Sequence, residues 1–242
     1  MRFKAIATDY DGTLAEDGKV RPEVLMELER AKKRGRKLVL VTGRELEDLM
    51  RTFPPIDVFD QVVAENGALL YTPSPPRECP LAKPPPASFA RTLAERGVSP
   101  ISCGRIIVAT WQPHEATVLS VIREQGLELE VIFNKGAVMV LPSGVNKATG
   151  LARALAALDI PAEATIGIGD AENDHSLLAA CGLGAAVANA VPALKERADL
   201  VMVKPRGEGV IELIDQLLAT DFAEAARAET PDMLDTIGAP LS

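Results

Sequence analysis

Three short apolar runs, each broken off at its C-terminal end by polar or glycine-containing residues, constrain this chain more than any other feature. They are "KAIATD" (4–9), "KLVLVTG" (37–43) and "ATIGIGD" (164–170). Continuous apolar runs without polar alternation read as strands buried on both faces, the kind found in parallel sheets covered by helices. Helical stretches lie between them. In "RPEVLMELERAKKRG" (21–35), Val24, Leu25, Leu28 and Ala31 repeat at helical spacing, Pro22 sits in a first turn and Gly35 sits where a helix would stop. "KATGLARALAALDI" (147–160) precedes the third run. The pattern predicts an α/β fold with a doubly wound, Rossmann-like parallel-sheet core. Ligands bind such sheets at the carboxyl ends of the strands. There the three runs deliver Asp9 and Asp11, Thr42 with Arg44, and Asp170.

The middle of the chain has another character. "TPSPPRECPLAKPPP" (72–86) is too rich in proline for a regular helix or a central strand and reads as an extended linker or rigid boundary. A helix over 87–97, a strand "RIIVAT" (105–110) and a helix starting near Pro113 follow. The runs "LELEVIF" (127–133) and "AVMVLP" (137–142) flank "NKG" (134–136), a hairpin turn signal. This predicts an inserted α+β domain over 73–144, with the core domain formed by 1–72 and 145–220. "GEGVIELIDQLL" (207–218) reads as a helix closing the core, and the acidic, Ala-rich 221–242 as a loosely packed tail.

Composition narrows the function. The 242 residues carry a formal net charge of −8, the wrong sign for a nucleic-acid footprint. An anionic substrate would need local positive charge or a metal ion to draw it in. Cys79, Cys103 and Cys181 form no CxxC pair, which suits a reducing compartment and argues against a disulfide framework or structural zinc. "MRFKAIATDYDG" reaches an acidic motif too early for a signal-peptide core, and no apolar run approaches the ~18 residues of a membrane span. The expectation is a cytoplasmic protein, monomer or homodimer, with neither nucleic acid nor membrane as partner.

The motifs admit bland and chemical readings. In an extended strand, Asp9 and Asp11 of "DYDGT" would face one side, where two carboxylates repel unless a cation or shared proton intervenes; Asp11-Gly12 is also an ordinary turn dipeptide. Thr42, Gly43 and Arg44 of "VTGR" suit a phosphate oxygen, or simply a strand-to-helix loop capped by Thr42. "GDAEND" (169–174) offers Asp170, Glu172, Asn173 and Asp174, hard oxygen donors of the type Mg²⁺ prefers, or an acidic first turn of a helix. Lys147 opens a helix, and matters chemically only if its amine reaches the acids. "GIGDAE" does not complete a GxGxxG dinucleotide fingerprint, and there is no Walker A loop.

In this order, "DYDGT", "VTGR", "NK" and "GDAEND" resemble the haloacid dehalogenase-like hydrolase superfamily. With "ENGA" (65–68) and "VANAVPALKERADLV" (187–201), the chain is similar to its Cof-like, subclass IIB phosphatases. The resemblance covers residues 1 to about 218, though within 72–142 only in architecture. It implies Asp9 as a nucleophile forming an aspartyl-phosphate and Asp11 as general acid and base. It implies Thr42 as a phosphate ligand and Lys147 as the cation steadying nucleophile and phosphoryl oxygens. Mg²⁺ would be held by Asp9, the Asp11 carbonyl and Asp170, with Asn173 and Asp174 in support. Arg44 and Asn66 would lie near the substrate, with Gly43 and Asn173. His175 and His114 have no implied catalytic part. The insert would be a mobile cap that selects substrate, and its small size favours a compact metabolite such as a sugar phosphate or phosphoglycolate. The rivals are a phosphotransferase or mutase using the same aspartyl-phosphate, and a non-enzymatic phospho-acceptor module.

Overall fold

The computed structural model describes residues 1–222. Most of the expected tail lies outside the described residues. Asp221 and Phe222 do not fray: the Asp221 carboxylate accepts the Arg2 amide at 2.5 Å, and Phe222 packs edge-on against Phe3.

The chain opens with β1 (Ala5–Thr8), α1 (Pro22–Lys33), β2 (Lys37–Val41), α2 (Leu46–Thr52), β3 (Gln61–Ala64), β4 (Leu69–Pro73) and β5 (Pro76–Pro80). A central segment follows, with α3 (Ala87–Glu95), β6 (Ser102–Cys103), β7 (Val108–Trp111), α4 (Glu115–Glu124), β8 (Leu129–Asn134) and β9 (Ala137–Pro142). The chain then returns through α5 (Lys147–Leu158), β10 (Thr165–Gly169), α6 (His175–Ala179), β11 (Leu183–Ala186), α7 (Pro192–Lys195), β12 (Leu200–Val201) and α8 (Arg206–Thr220).

The first and last groups share an eight-stranded sheet, ordered β12-β11-β10-β1-β2-β3-β4-β5. From β12 to β3 it is parallel, and β4 and β5 add antiparallel at one edge. Strands β1, β3 and β10 are buried along their whole length, with the Gln61 side chain of β3 accepting the Thr72 hydroxyl. Helix α1 packs with α8, and α5 with α6, so helical layers cover the sheet. The chain builds β1 to β5 towards one edge, then returns to place β10 beside β1 and builds towards the other. Strand order therefore reverses between β1 and β10, the kind of switch point where open α/β sheets bind ligands.

The proline-dense stretch departs from expectation. Instead of a linker, Pro76–Pro80 forms β5, the edge strand of the core sheet, paired with β4 from Leu69↔Pro80 to Pro73↔Pro76. An edge strand tolerates prolines because one side of its backbone needs no partner. The expected boundary at 72/73 therefore falls within the β4–β5 hairpin.

The central segment forms its own four-stranded antiparallel sheet, ordered β6-β7-β9-β8. Its two faces sort by strand alternation. Val108, Val138 and Val140 pack beneath α3 and α4 with Phe89, Leu93, Val118 and Val121. The opposite face carries Ile107, Met139 and Leu141, which cluster with Ala68 of the core. Burying side chains of this size contributes roughly 1.5–3 kcal/mol each, so the second sheet is seated on the core through its own apolar face.

Candidate active site

Strand ends set the site. β1 stops at Thr8 and the next residue, Asp9, donates its backbone N–H to Ile168 at the end of β10. β10 stops at Gly169, so Asp170 emerges beside it. The carboxylates of Asp9, Asp170 and Asp174 are buried, with one ligand oxygen from each lying within 4.8 Å of the others.

Lys147 joins them from α5. Asn146 caps that helix, its side chain accepting the Thr149 amide while the Thr149 hydroxyl accepts the Asn146 amide, a reciprocal capping box. Gly150 lets the first turn of α5 lie directly on the 65–67 turn: a Cβ there would stand 2.6 Å from the Gly67 Cα. The helix start is thus pinned over the strand ends. The Lys147 ammonium, 1 % exposed, donates to Asp9 Oδ1 at 2.5 Å and Asp174 Oδ1 at 2.6 Å. Burial works against the Lys147 charge, but Asp174 and Asp9 outweigh it and hold the amine above the usual lysine range. Asp9 is pushed up to about 7, first by burial and then by the Asp174 charge, with Lys147 only partly opposing. Burial also raises Asp170.

Asp174 is the organiser of its loop. Its Oδ2 accepts the amides of Asp170 and Ala171, both at 2.9 Å, and its Oδ1 accepts Lys147. Asp170 is held by the Thr13 hydroxyl at 3.1 Å and by the Lys135 ammonium at 2.6 Å. The Asn189 amide donates to the Gly12 carbonyl nearby. Sequence reasoning missed Thr13, Lys135 and Asn189, since nothing local marks a side chain that acts across more than thirty residues of chain.

Asp11 does not share a strand face with Asp9, because β1 ends at Thr8 and residues 10–15 turn back on themselves. Its half-exposed carboxylate is gripped by Arg44, with Nε to Oδ2 at 2.7 Å and Nη2 to Oδ1 at 2.8 Å. Arg44 also donates to Asp48 at 2.6 Å and lies over the Tyr10 ring. Thr42 is buried, its hydroxyl accepting the Arg44 amide at 3.1 Å. Asn66, at φ 54°, accepts from the Asn173 amide at 2.9 Å, leaving Asn173 Oδ1 buried without a partner. Glu172 is exposed, and His114 stands at the start of α4 beside Ser99.

Glu65 is a further finding. Buried at the end of β3 with φ 51°, it accepts the amides of Arg105 and Ile106 at 2.7 Å and Ile107 at 2.9 Å. These amides precede β7, so the core carboxylate fastens the second sheet and delays that strand from 105 to 108. Between the two sheets lies a cavity of about 460 Å³, reached by Asp9, Asp11, Gly43 and Arg44 from below and Trp111, Lys135 and Met139 from above.

The donor set fits a hard divalent cation. Crowded buried acids have one buried lysine between them, and the oxygens of Asp170 and the Asp11 carbonyl already take an ammonium, from Lys135, at 2.6 and 3.3 Å.

A family model for haloacid dehalogenase-like hydrolases matches residues 6–84 and 120–214. The chain belongs to the haloacid dehalogenase-like hydrolases. Within them it is a phosphatase of the Cof-like group. It is 31 % identical over 234 residues to phosphoglycolate phosphatase 2 of Saccharolobus solfataricus, covering 90 % of this chain and 94 % of that one. With the phosphoglycolate phosphatase of Methanothermobacter thermautotrophicus it shares 32 % identity over 224 residues, covering 89 % and 99 %. Its fold matches that of a subclass IIB sugar phosphatase with a TM-score of 0.74, at 20 % identity and covering 88 % and 98 % of the two chains. Among the described residues, no helix is long and apolar enough to cross a membrane.

Proposed function

We propose that the chain is a Mg²⁺-dependent phosphomonoester hydrolase working through an aspartyl-phosphate on Asp9, with phosphoglycolate or a similarly compact phosphate ester as substrate. One observation carries the reading: the Asp9 carboxylate stands at the switch point, one oxygen fixed by Lys147, at the floor of a cavity roofed by the second sheet. The relatives named as phosphoglycolate phosphatases support the substrate.

Asp9 attacks phosphorus as the ester P–O bond breaks, and the departing oxygen takes its proton from Asp11. Asp11 then takes a proton from water, which attacks the same phosphorus and releases phosphate and free Asp9. Lys147 holds Asp9 in place and balances charge on the phosphoryl oxygens, while Thr42 and Gly43 border the phosphate. Asp9, Asp170 and the Asp11 carbonyl would hold Mg²⁺, with Asp174 fixing Lys147 and the loop. Bound there, the ion offsets repulsion between a carboxylate and an anionic ester.

Phosphate release from a panel of phosphorylated acids, sugars and alcohols, with and without Mg²⁺, tests the reading alongside Asp9→Asn. Expected are Mg²⁺-dependent turnover, best on phosphoglycolate, and its loss in Asp9→Asn. Retention of wild-type rates by Asp9→Asn sinks the mechanism, and transfer of phosphate to a second sugar instead of water turns the reading to a mutase.

A further inference from the structure

The roof of the cavity is chemically lopsided. Ile107, Ala109, Trp111 and Met139 make most of it apolar, a poor match for the many hydroxyls of a sugar. Among the described residues of the second sheet, Lys135 brings the one cation that lines the cavity. Below, Arg44 is committed to Asp11 and Asp48, and Arg51 lies 3.5 Å from Asp48 with its side chain 77 % exposed.

Lys135 sits at the tip of the β8–β9 hairpin, where Lys135 and Gly136 take φ of 49° and 88°. A two-residue turn with both φ positive favours Asn-Gly or Asp-Gly, because an unbranched, non-hydrogen-bonding side chain gains nothing in the left-handed region. Lysine here runs against the backbone preference, so its value lies in the side chain. That side chain spans from roof to floor: the ammonium meets Asp170 Oδ2 at 2.6 Å and the Asp11 carbonyl at 3.3 Å, yet the side chain as a whole is 47 % exposed. Those two oxygens are among the ones that would hold Mg²⁺, so an ion there would leave the ammonium, at the edge of the cavity, free to donate to a ligand.

We propose that Lys135 recognises the part of the substrate beyond the phosphate, selecting esters that carry a carboxylate close to the ester oxygen. The proposal rests on the phosphatase reading above and assigns the specificity of that site to one residue. A small anionic acid meets a mostly apolar roof with one cation; for a sugar's hydroxyls the described residues of the second sheet add only Ser102, which donates to Glu45, and Asn134.

The test compares 2-phosphoglycolate with ethyl phosphate, which has a methyl group in place of the carboxylate, in the wild type, Lys135→Met and Lys135→Arg. The loss expected in Lys135→Met is about ten- to a hundredfold in kcat/KM for phosphoglycolate, mainly through KM, as for a lost charge-assisted hydrogen bond. The loss on ethyl phosphate should be several-fold smaller than on phosphoglycolate, and Lys135→Arg should keep most of the preference. Thermal melts on the same variants check that the exposed turn still folds. Equal losses on both substrates would mean that Lys135 acts through Asp170 on the chemistry, and would overturn the proposal, as would an unchanged preference. The phosphatase reading fails separately, in the wild type, if no panel member releases phosphate. If the wild type prefers another carboxylated ester, the same variants are read on that ester and its neutral counterpart.

Discussion

Arg44 holds Asp11 through two parallel N–H···O bonds, 2.7 and 2.8 Å long, across thirty-three residues of sequence. The residue proposed to trade protons is therefore positioned by a planar fork that also donates to Asp48 and rests on Tyr10. Arg44→Gln should lower kcat by about ten- to a hundredfold while changing KM little, the loss expected for a paired charge-assisted contact. Arg44→Lys should rescue poorly, because an ammonium cannot reproduce the fork. Steady-state kinetics decide: a raised KM at unchanged kcat would make Arg44 a substrate ligand instead.

Asp9 gives a pH dependence of stability with a definite sign. Its carboxyl is raised from 3.8 to about 7 in the folded protein, by burial and then by Asp174. Between those values the folded chain binds the proton more tightly than the unfolded chain. The contribution is present in full below about pH 4 and disappears as pH rises through 7. Melts without divalent cations, from pH 4.5 to 8, should show this component falling with pH, and Asp9→Asn should remove it. An identical pH profile in both proteins would refute the assignment.

Lys147 stands between Asp9 and Asp174 with almost no exposure. Lys147→Met would leave two buried acids facing each other and should cost about 3–5 kcal/mol near neutral pH. Protonation relieves that repulsion, so the variant should regain stability relative to wild type as the solution is acidified. Activity should be lost throughout. A melting temperature unchanged at pH 7.5 would show the lysine to be dispensable for the fold.

Glu65 fastens the second sheet by accepting three consecutive backbone amides. Glu65→Ala strands them and should destabilise the protein by about 3 kcal/mol or more, whereas Glu65→Gln keeps one acceptor oxygen and should cost less. Hydrogen exchange at residues 105–107 should accelerate in the alanine variant well before exchange in β1 or β10. Uniform acceleration across both sheets would mean that Glu65 serves global stability alone.

Much of the fold was legible because its signals are local. Unbroken apolar runs marked β1, β2 and β10, and "NKG" marked the turn between β8 and β9. The stretch 72–86 misled because proline content argues against a central strand, and β5 is an edge strand whose neighbour, β4, is fixed only by the assembled sheet. Strand β7 begins at Val108, later than "RIIVAT" predicts, because Glu65 takes the amides of residues 105–107.

The sequence by itself determined where the candidate site residues emerge: Asp9, Thr42 and Asp170 follow directly from strands that end just before them, since each apolar run stops there. Only the tertiary structure decided who partners whom. Lys147 reaches Asp9 across 138 residues, Arg44 turns to Asp11, Glu65 to the second sheet and Lys135 to Asp170. Such pairings carry no local signature, because a charged side chain leaves water only where packing has already gathered its counter-charges and hydrogen-bond partners.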